Sequence, residues 1–423
     1  MILSIRIDNF LVYSNEVELS LKADMRIKKF NCNVYSESKF NVLKSICIYG
    51  ANNAGKTCIV RAINSIRNVL LGLVAEVPVN IFTNNKVCSL GITFLHCGRV
   101  YSYDFKYDLT LTNNLKKGFI YEKFSELSLD KNNNLSEKEL FIRDVYHDIY
   151  RFAGDEELSK VLGLVSSDNI LIYTINTIKY PIVERYKQIL RAFASKIEIL
   201  SMDNIPVEKT IKVLKEDEEI KEKTIELIKL ADLDIDDFLY LKDENMVSQS
   251  NEDKPLPQEL VLRTAVAITD MFRLTSVHRG KSVQSFSFDS TGTKKIIAIA
   301  SYIIESLTKG KILVVDELDS SLHFKLTRAL VSLYNNDLNK NAQLLFTAHD
   351  VTLLDCKKLF RKDQIWFAAK DYEGVYLYSL ADYTAQHDGI RSETDIVEKY
   401  SAGVLGAVPE PDLISLLLGG NNT

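Results

Sequence analysis

The chain has 423 residues, 46% of them hydrophobic and 26% charged, with 17 glycines and seven prolines. That length exceeds what one hydrophobic core supports and predicts more than one lobe, and the ordinary composition excludes a fibrous or disordered chain. A net charge of −5 excludes a global electrostatic pull toward nucleic acid or an anionic membrane, leaving room only for a local basic groove.

Six cysteines (Cys32, Cys47, Cys58, Cys88, Cys97 and Cys356) form no Cys-x-x-Cys pair and no metal-ligand spacing with histidine. They read as small buried hydrophobes in a reducing compartment. The opening MILSIRIDNF lacks a basic stretch ahead of a long apolar one, so it is no signal peptide. The longest apolar runs, Ile296–Ile304 and Ile312–Val315, fall far short of the ~20 residues of a membrane span. The expectation is a cytoplasmic protein without membrane contact.

In chain order, residues 1–49 read as strands. Ile2, Leu3, Ile5 and Ile7 lie close to a period of two, and Val17, Leu19 and Leu21 alternate after a turn at Ser14-Asn15. An apolar strand from Val42 to Tyr49 runs into a glycine-bearing loop, followed by a helix with a buried stripe of Ile59, Ile63, Ile66 and Leu70. Residues 90–124 read as an antiparallel meander broken by glycine and Asn-Asn turns. From about residue 146 to 245 the chain is rich in Lys and Glu at helical spacing. Its charges of both signs balance, which predicts a solvated helical face laced by i,i+4 pairs rather than a nucleic-acid surface. Polar, proline-bearing Asp243–Gln258 reads as an exposed loop. A helix is predicted from about Pro257 to Arg273, and strand–helix alternation then returns through Asp382. The division expected is a first lobe over 1–145, a mainly helical insertion over 146–275, a second lobe over 276–383 and a tail over 384–423.

Four short segments carry chemistry. Gly50-Ala51-Asn52-Asn53-Ala54-Gly55-Lys56-Thr57 is a complete P-loop pattern between a buried strand and a helix. Its backbone N–H groups, at Gly50, Asn52, Asn53, Ala54 and Gly55, can curl around a β-phosphate at the helix N-terminus. Lys56 can neutralise β- and γ-phosphates, and Thr57 can offer its hydroxyl to magnesium. The second segment, Lys311-Ile312-Leu313-Val314-Val315-Asp316-Glu317, is an apolar strand of the kind buried on both faces of a parallel sheet, where chemistry gathers at the carboxyl ends. Asp316 is placed to hold Mg2+ and Glu317 to orient or deprotonate an attacking water. The third is Leu344–Asp350, a buried strand whose polar tip carries His349 within reach of a γ-phosphate. The fourth is Asp289-Ser290-Thr291-Gly292-Thr293, a helix start able to present hydroxyl and backbone donors to an anion.

The order of these parts, with Ser320-Ser321-Leu322-His323 between the second and third, resembles the ABC-type ATPase superfamily. The branch it is similar to is the soluble SMC/RecF/OLD-like one. Closer still, GANNAGKT, DSTGTKKI, VVDELDSSLH and LLFTAHDVTLLD resemble the compact ATPases of bacterial abortive-infection and anti-phage defence systems. Arg361–Phe367 with LYSLADY, KLADLDIDDF, and GVLGAVP near the end are similar too. The resemblance implies an α/β fold: an ABC-type P-loop ATPase head with a mixed sheet core and an antiparallel β subdomain, plus a mainly helical insertion.

The resemblance also implies a mechanism. Two heads close around two ATP molecules, with Ser290, Gly292 and Thr293 acting in trans, Ser320 and Ser321 forming a D-loop, and His349 serving as the switch histidine. ATP and Mg2+ are the implied cofactors. The implied partners are a second copy and a separately encoded nuclease-like effector, since no nuclease constellation is visible in this chain. The signature departs from the fuller Leu-Ser-Gly-Gly-Gln of transporters, and no glutamine lies in residues 76–110 to supply a Q-loop. A DNA-repair or DNA-organising ATPase of the RecF or SMC kind is the alternative function. It would need a basic surface or long coiled-coil arms, and neither the acidic net charge nor the roughly 130-residue insertion points there.

Overall fold

In the computed structural model of the chain, the described residues are 1–37, 39–109, 118–130, 134–175, 179–231, 234–240, 274–371, 374–383 and 394–407. The chain opens with β1 (Ile2–Asp8) and β2 (Val17–Ser20), the hairpin of β3 (Val34–Glu37) and β4 (Phe40–Leu43), and β5 (Ser45–Gly50), which leads into helix α1 (Lys56–Leu71). Then come β6 (Val87–His96), β7 (Arg99–Asp108), β8 (Gly118–Leu129), β9 (Leu135–Asp144) and β10 (Ile149–Phe152). These five join β1 and β2 in an antiparallel seven-stranded sheet of order β10-β9-β8-β7-β6-β1-β2. The meander therefore continues past residue 124, and the lobe boundary drawn near 145 falls between two paired strands, with Ile149 opposite Asp144.

The Lys/Glu-rich stretch folds as α2 (Glu156–Leu162), α3 (Pro181–Ala194), α4 (Glu208–Glu216) and α5 (Glu218–Leu230). Asp155 and Asp217 cap α2 and α5 by accepting from the Leu158 and Ile220 amides. Lys221 pairs with Glu218 and Lys223 with Glu219 on the solvent face. Strands interrupt the helical pattern, and the one in its middle belongs to another sheet. Ile197–Ser201 forms β11, the edge of a second sheet, pairing parallel with β15 (Ile312–Asp316) from Ile197 opposite Ile312 to Ser201 opposite Asp316. Five residues flanked by helical sequence carry no local strand signal, and their ladder forms only with a segment more than a hundred residues away.

The second sheet runs β11-β15-β16-β5-β17-β18, adding β16 (Gln343–Thr347), β17 (Ile365–Lys370) and β18 (Val375–Ser379). Its first five strands are parallel and β18 closes the edge antiparallel. Ile46, Ile48, Ile312, Val314 and Leu345 face a core shared with α1 and the antiparallel sheet. Cys47, Tyr49, Leu313, Val315, Leu344 and Phe346 face a second core, under α6 (Thr291–Lys309) and α7 (Phe324–Tyr334). Burial on both faces is why these strands are continuously apolar. Gln343 joins the two sheets by accepting from the Ile2 amide at 2.7 Å and donating to the carbonyls of Ile2 and Leu43.

A small sheet of β12 (Asp237–Tyr240), β13 (Leu274–His278) and β14 (Lys281–Gln284) precedes α6. The loop expected at 243–258 and the helix expected from Pro257 to Arg273 lie outside the described residues. In the segment expected to be a tail, residues 394–407 carry α8 (Ile396–Ser401), whose Tyr400 ring stacks on Phe367 at 5.5 Å. That segment is packed, with Ile396, Tyr400 and Leu405 in the second core. Of the six cysteines, Cys47, Cys88 and Cys356 are buried, Cys97 is exposed and all are free thiols. Among the described residues, no helix is long and apolar enough to cross a membrane.

Candidate functional site

Because β15, β16 and β5 are parallel neighbours in register, their carboxyl ends share one edge of the sheet. The loops that follow them bring together three of the segments singled out by sequence: Gly50–Thr57, Asp316-Glu317 and His349. This is where an open parallel sheet gathers ligand chemistry.

The loop after β5 turns into α1 at Gly55, whose φ of 95° is left-handed and whose added Cβ would lie 2.9 Å from Val12 Cγ2. Only glycine meets both demands. No side chain caps α1, so its first amides remain for an anion. Asn52, Asn53 and Thr57 are exposed, while Ala54, Gly55 and Lys56 are buried. The Lys56 ammonium donates to the Gly50 carbonyl at 2.8 Å and the Ala51 carbonyl at 3.0 Å. Burial lowers its pKa, an effect that the Glu317, Asp316 and Asp319 carboxylates oppose.

Asp316 is buried at the end of β15. Thr347, fully buried at the end of β16, donates its hydroxyl to Asp316 Oδ1 at 2.6 Å and accepts from the Glu317 amide at 2.7 Å. Thr347 thus fixes both acids, a role the sequence did not disclose. Glu317 sits at a left-handed φ of 57°, an uncommon conformation for this residue type that turns its half-exposed carboxylate out of the sheet. Its Oε1 lies 3.7 Å from His349 Nε2. Asp319 Oδ2 accepts from the amides of His349 and Asp350, at 2.8 and 2.5 Å, tying the turn after β15 to the loop after β16.

The fourth segment, Ser290–Thr293, lies with Ser321, Leu322 and His323 along a separate open cleft of about 510 Å³. Ser290 caps α6, its hydroxyl accepting from the Thr293 amide at 3.2 Å. An added Cβ on Gly292 would stand 2.7 Å from the Ser321 carbonyl, so the helix start and the 320–321 turn touch directly. Behind them, buried Asp289 accepts from Ser285 Oγ at 2.5 Å and Ser276 Oγ at 3.1 Å and lies 2.9 Å from His278 Nε2. His278 and Asp289 hold the helix start in place. Their partnership spans a hairpin and gives no local sequence pattern.

The donor set suits a hard cation bridged by phosphates. Thr57 offers an exposed hydroxyl, and Asp316 keeps Oδ2 open once Thr347 has taken Oδ1. Magnesium takes few protein ligands and completes its shell with substrate phosphates and water. Among the described residues there is no cluster of three or more His, Cys, Asp or Glu able to cage a metal.

The family described as "AAA domain, putative AbiEii toxin, Type IV TA system" matches residues 45–355, well over half of the chain, from the start of β5 through the loop after β16. The chain belongs to this family. Its fold is a P-loop fold of the AAA type. No curated protein matches its sequence. Among solved structures it is similar to the SMC head domain of Thermotoga maritima, at 10% identity and a TM-score of 0.40, covering 89% of this chain and 98% of that one. A second is an Smc head bound to the C-winged helix domain of ScpA, at 13% identity, TM-score 0.45 and coverage of 89% and 97%. A third, the Smc head with an extended coiled coil bound to the C-terminal domain of ScpA, derived from Pyrococcus furiosus, has 14% identity, a TM-score of 0.39 and coverage of 89% and 96%.

Proposed function

We propose that this protein binds and hydrolyses ATP, and that two copies pair around two nucleotides to regulate a separate effector in bacterial anti-phage defence. The observation that carries the ATPase reading is the meeting of Lys56, Asp316, Glu317 and His349 at one sheet edge, with Thr347 pinning both acids.

In this reading the backbone of Gly50–Gly55 and the uncapped start of α1 hold the β-phosphate, and Lys56 leaves its carbonyl partners for the β- and γ-oxygens. Thr57 and Asp316 are the residues that hold magnesium, which supplies positive charge against the charge developing on the phosphate oxygens. Glu317 orients a water and takes its proton. His349, 3.7 Å from Glu317, senses the γ-phosphate. Ser290, Gly292 and Thr293 present the start of α6 to the nucleotide of the second copy, with Ser320 and Ser321 beside them in the interface. Pairing would make ATP part of the contact, so hydrolysis releases it. The defence role is supported by the family description, which names a putative AbiEii toxin; the separate nuclease-like effector is supported by the motif resemblance alone.

The test is calorimetric. The wild-type chain is expected to bind ATP with magnesium, and Lys56→Ala to lose measurable binding while its melting temperature is kept. Unaltered affinity in that variant would overturn the P-loop reading.

A further inference from the structure

Lys295 belongs to none of the four segments, yet its side chain ties the helix that begins at one of them to the Ser320-Ser321 turn. It projects from the start of the second turn of α6, its side chain 13% exposed. Its ammonium reaches Ser320 Oγ at 3.0 Å, the Ser320 carbonyl at 3.4 Å and Ser321 Oγ at 3.4 Å, with Asp203 Oδ1 at 3.5 Å. Asp203 follows β11, so the same ammonium also touches the edge of the parallel sheet. Neighbouring Lys294 instead lies over the Phe286 ring at 5.4 Å.

The turn that Lys295 grips is held at its other end by Asp319, which accepts from the amides of His349 and Asp350. Between the two grips, Gly292 packs against the Ser321 carbonyl. A continuous chain of contacts thus runs from the histidine beside a copy's own nucleotide site, through Asp319 and the 320–321 turn, to Lys295 and the helix start that faces the other copy. Both grips are charge-assisted hydrogen bonds, stronger and more directional than neutral ones. Cutting Lys295 removes these charge-assisted bonds and leaves the close packing of Gly292 against the Ser321 carbonyl.

We infer that Lys295 is a positioning residue that locks the 320–321 turn to the signature helix, so that the state of one nucleotide site sets the geometry offered to the other. This rests on the paired-head reading above. Lys295 touches neither the nucleotide site of its own copy nor the reacting atoms; it acts through Ser320 and Ser321.

The experiment uses the full chain carrying Glu317→Gln, with ATP and magnesium, and measures the dimer dissociation constant by sedimentation. Adding Lys295→Met, which keeps the aliphatic stem, is expected to raise that constant about tenfold, the effect of losing one hydrogen bond to a charged group. Lys295→Arg is expected to restore it to within about threefold, because a guanidinium can donate to the same oxygens. Lys294→Met removes an equal charge from the same helix and is expected to change it less than about twofold, the scale of a charge without a carboxylate or turn partner in the contacts above. ATP affinity of the Lys295→Met monomer is expected to stay within about twofold, since no P-loop contact is lost. In the hydrolysing background, the Hill coefficient for ATP should fall toward one in Lys295→Met and recover in Lys295→Arg. Equal dimerisation of Lys295→Met and its parent, or equal losses in Lys294→Met and Lys295→Met, would overturn the inference while leaving the paired-head reading intact. A Glu317→Gln parent that stays monomeric would overturn both.

Discussion

Thr347→Val is the sharpest single perturbation of the proposed nucleotide site, because it changes one hydroxyl to a methyl in a fully buried position and leaves shape and volume almost unchanged. The lost hydroxyl donates to Asp316 Oδ1 at 2.6 Å and accepts from the Glu317 amide at 2.7 Å. A hydrogen bond to a charged group contributes ~1.5–3 kcal/mol and an orphaned buried amide costs ~1–3 kcal/mol. Water reaching the half-exposed Glu317 offsets part of this, so urea unfolding should show a loss of about 3 kcal/mol. The kinetic effect should be larger than the effect on binding. Glu317 holds a left-handed backbone that this bond stabilises, and misplacing a catalytic group by about 1 Å costs up to ~100-fold in rate. The expected outcome is kcat about 10–100-fold lower with ATP affinity within about twofold, and Thr347→Ser close to wild type. A Thr347→Val protein that hydrolyses ATP at the wild-type rate would refute the claim that Thr347 sets the two acids.

Three further outcomes follow from other parts of the molecule. Gly292→Ala should be destabilising despite the ~1 kcal/mol helix-propensity gain of alanine, because its Cβ would meet the Ser321 carbonyl at 2.7 Å; a raised melting temperature would contradict this. In the antiparallel sheet, fully buried Arg143 and Glu122 form an ion pair. Glu122 also accepts from Tyr103 and the Leu171 amide, so Arg143→Met should cost about 3–5 kcal/mol in urea unfolding without altering ATP affinity. Burial raises the Glu305 carboxyl, but the hydrogen bonds and charges of Lys209 and Lys311 outweigh it and bring it to about 2. A carboxyl lower when folded than unfolded contributes stability above its unfolded value near 4.5 and loses it as pH falls toward about 2. Glu305→Gln should therefore flatten the unfolding free energy across that acid window; an unchanged slope would show that Lys209 and Lys311 do not hold the Glu305 carboxylate in the folded chain.

The parts of the site legible in the sequence are those whose chemistry is local. Gly50–Thr57 announces itself because a turn, a cation and a hydroxyl must follow one another at fixed spacing. Asp316-Glu317 is visible because a strand buried on both faces has to be apolar until it meets solvent. The hidden parts depend on partners far along the chain. Strand β11 acquires its identity from β15, and Thr347 acquires its role from the acids on the neighbouring strand. Asp319 and Lys295 gain theirs from the loop after β16 and the 320–321 turn. His278 reads as an ordinary strand residue until the hairpin turns it toward Asp289. Arg361 likewise looks like one more surface cation, yet it is buried, pairing with Asp363 and donating to the carbonyls of Asp24, Ile27 and Lys29. That clamp is the physical content of the segment Arg361–Gln364, whose Gln364 also ties Asn33, Ser45 and Asn335 together.

The central claim is that ATP held at the P-loop draws two copies together through the cleft of Ser290, Gly292 and Ser321. The most direct measurement is the solution mass of Glu317→Gln, by light scattering after size exclusion, with and without ATP and magnesium. The account predicts one chain without nucleotide, two chains with it, and one chain again when Ser290→Arg blocks the cleft. A Glu317→Gln protein that binds ATP yet keeps the mass of a single chain would contradict it.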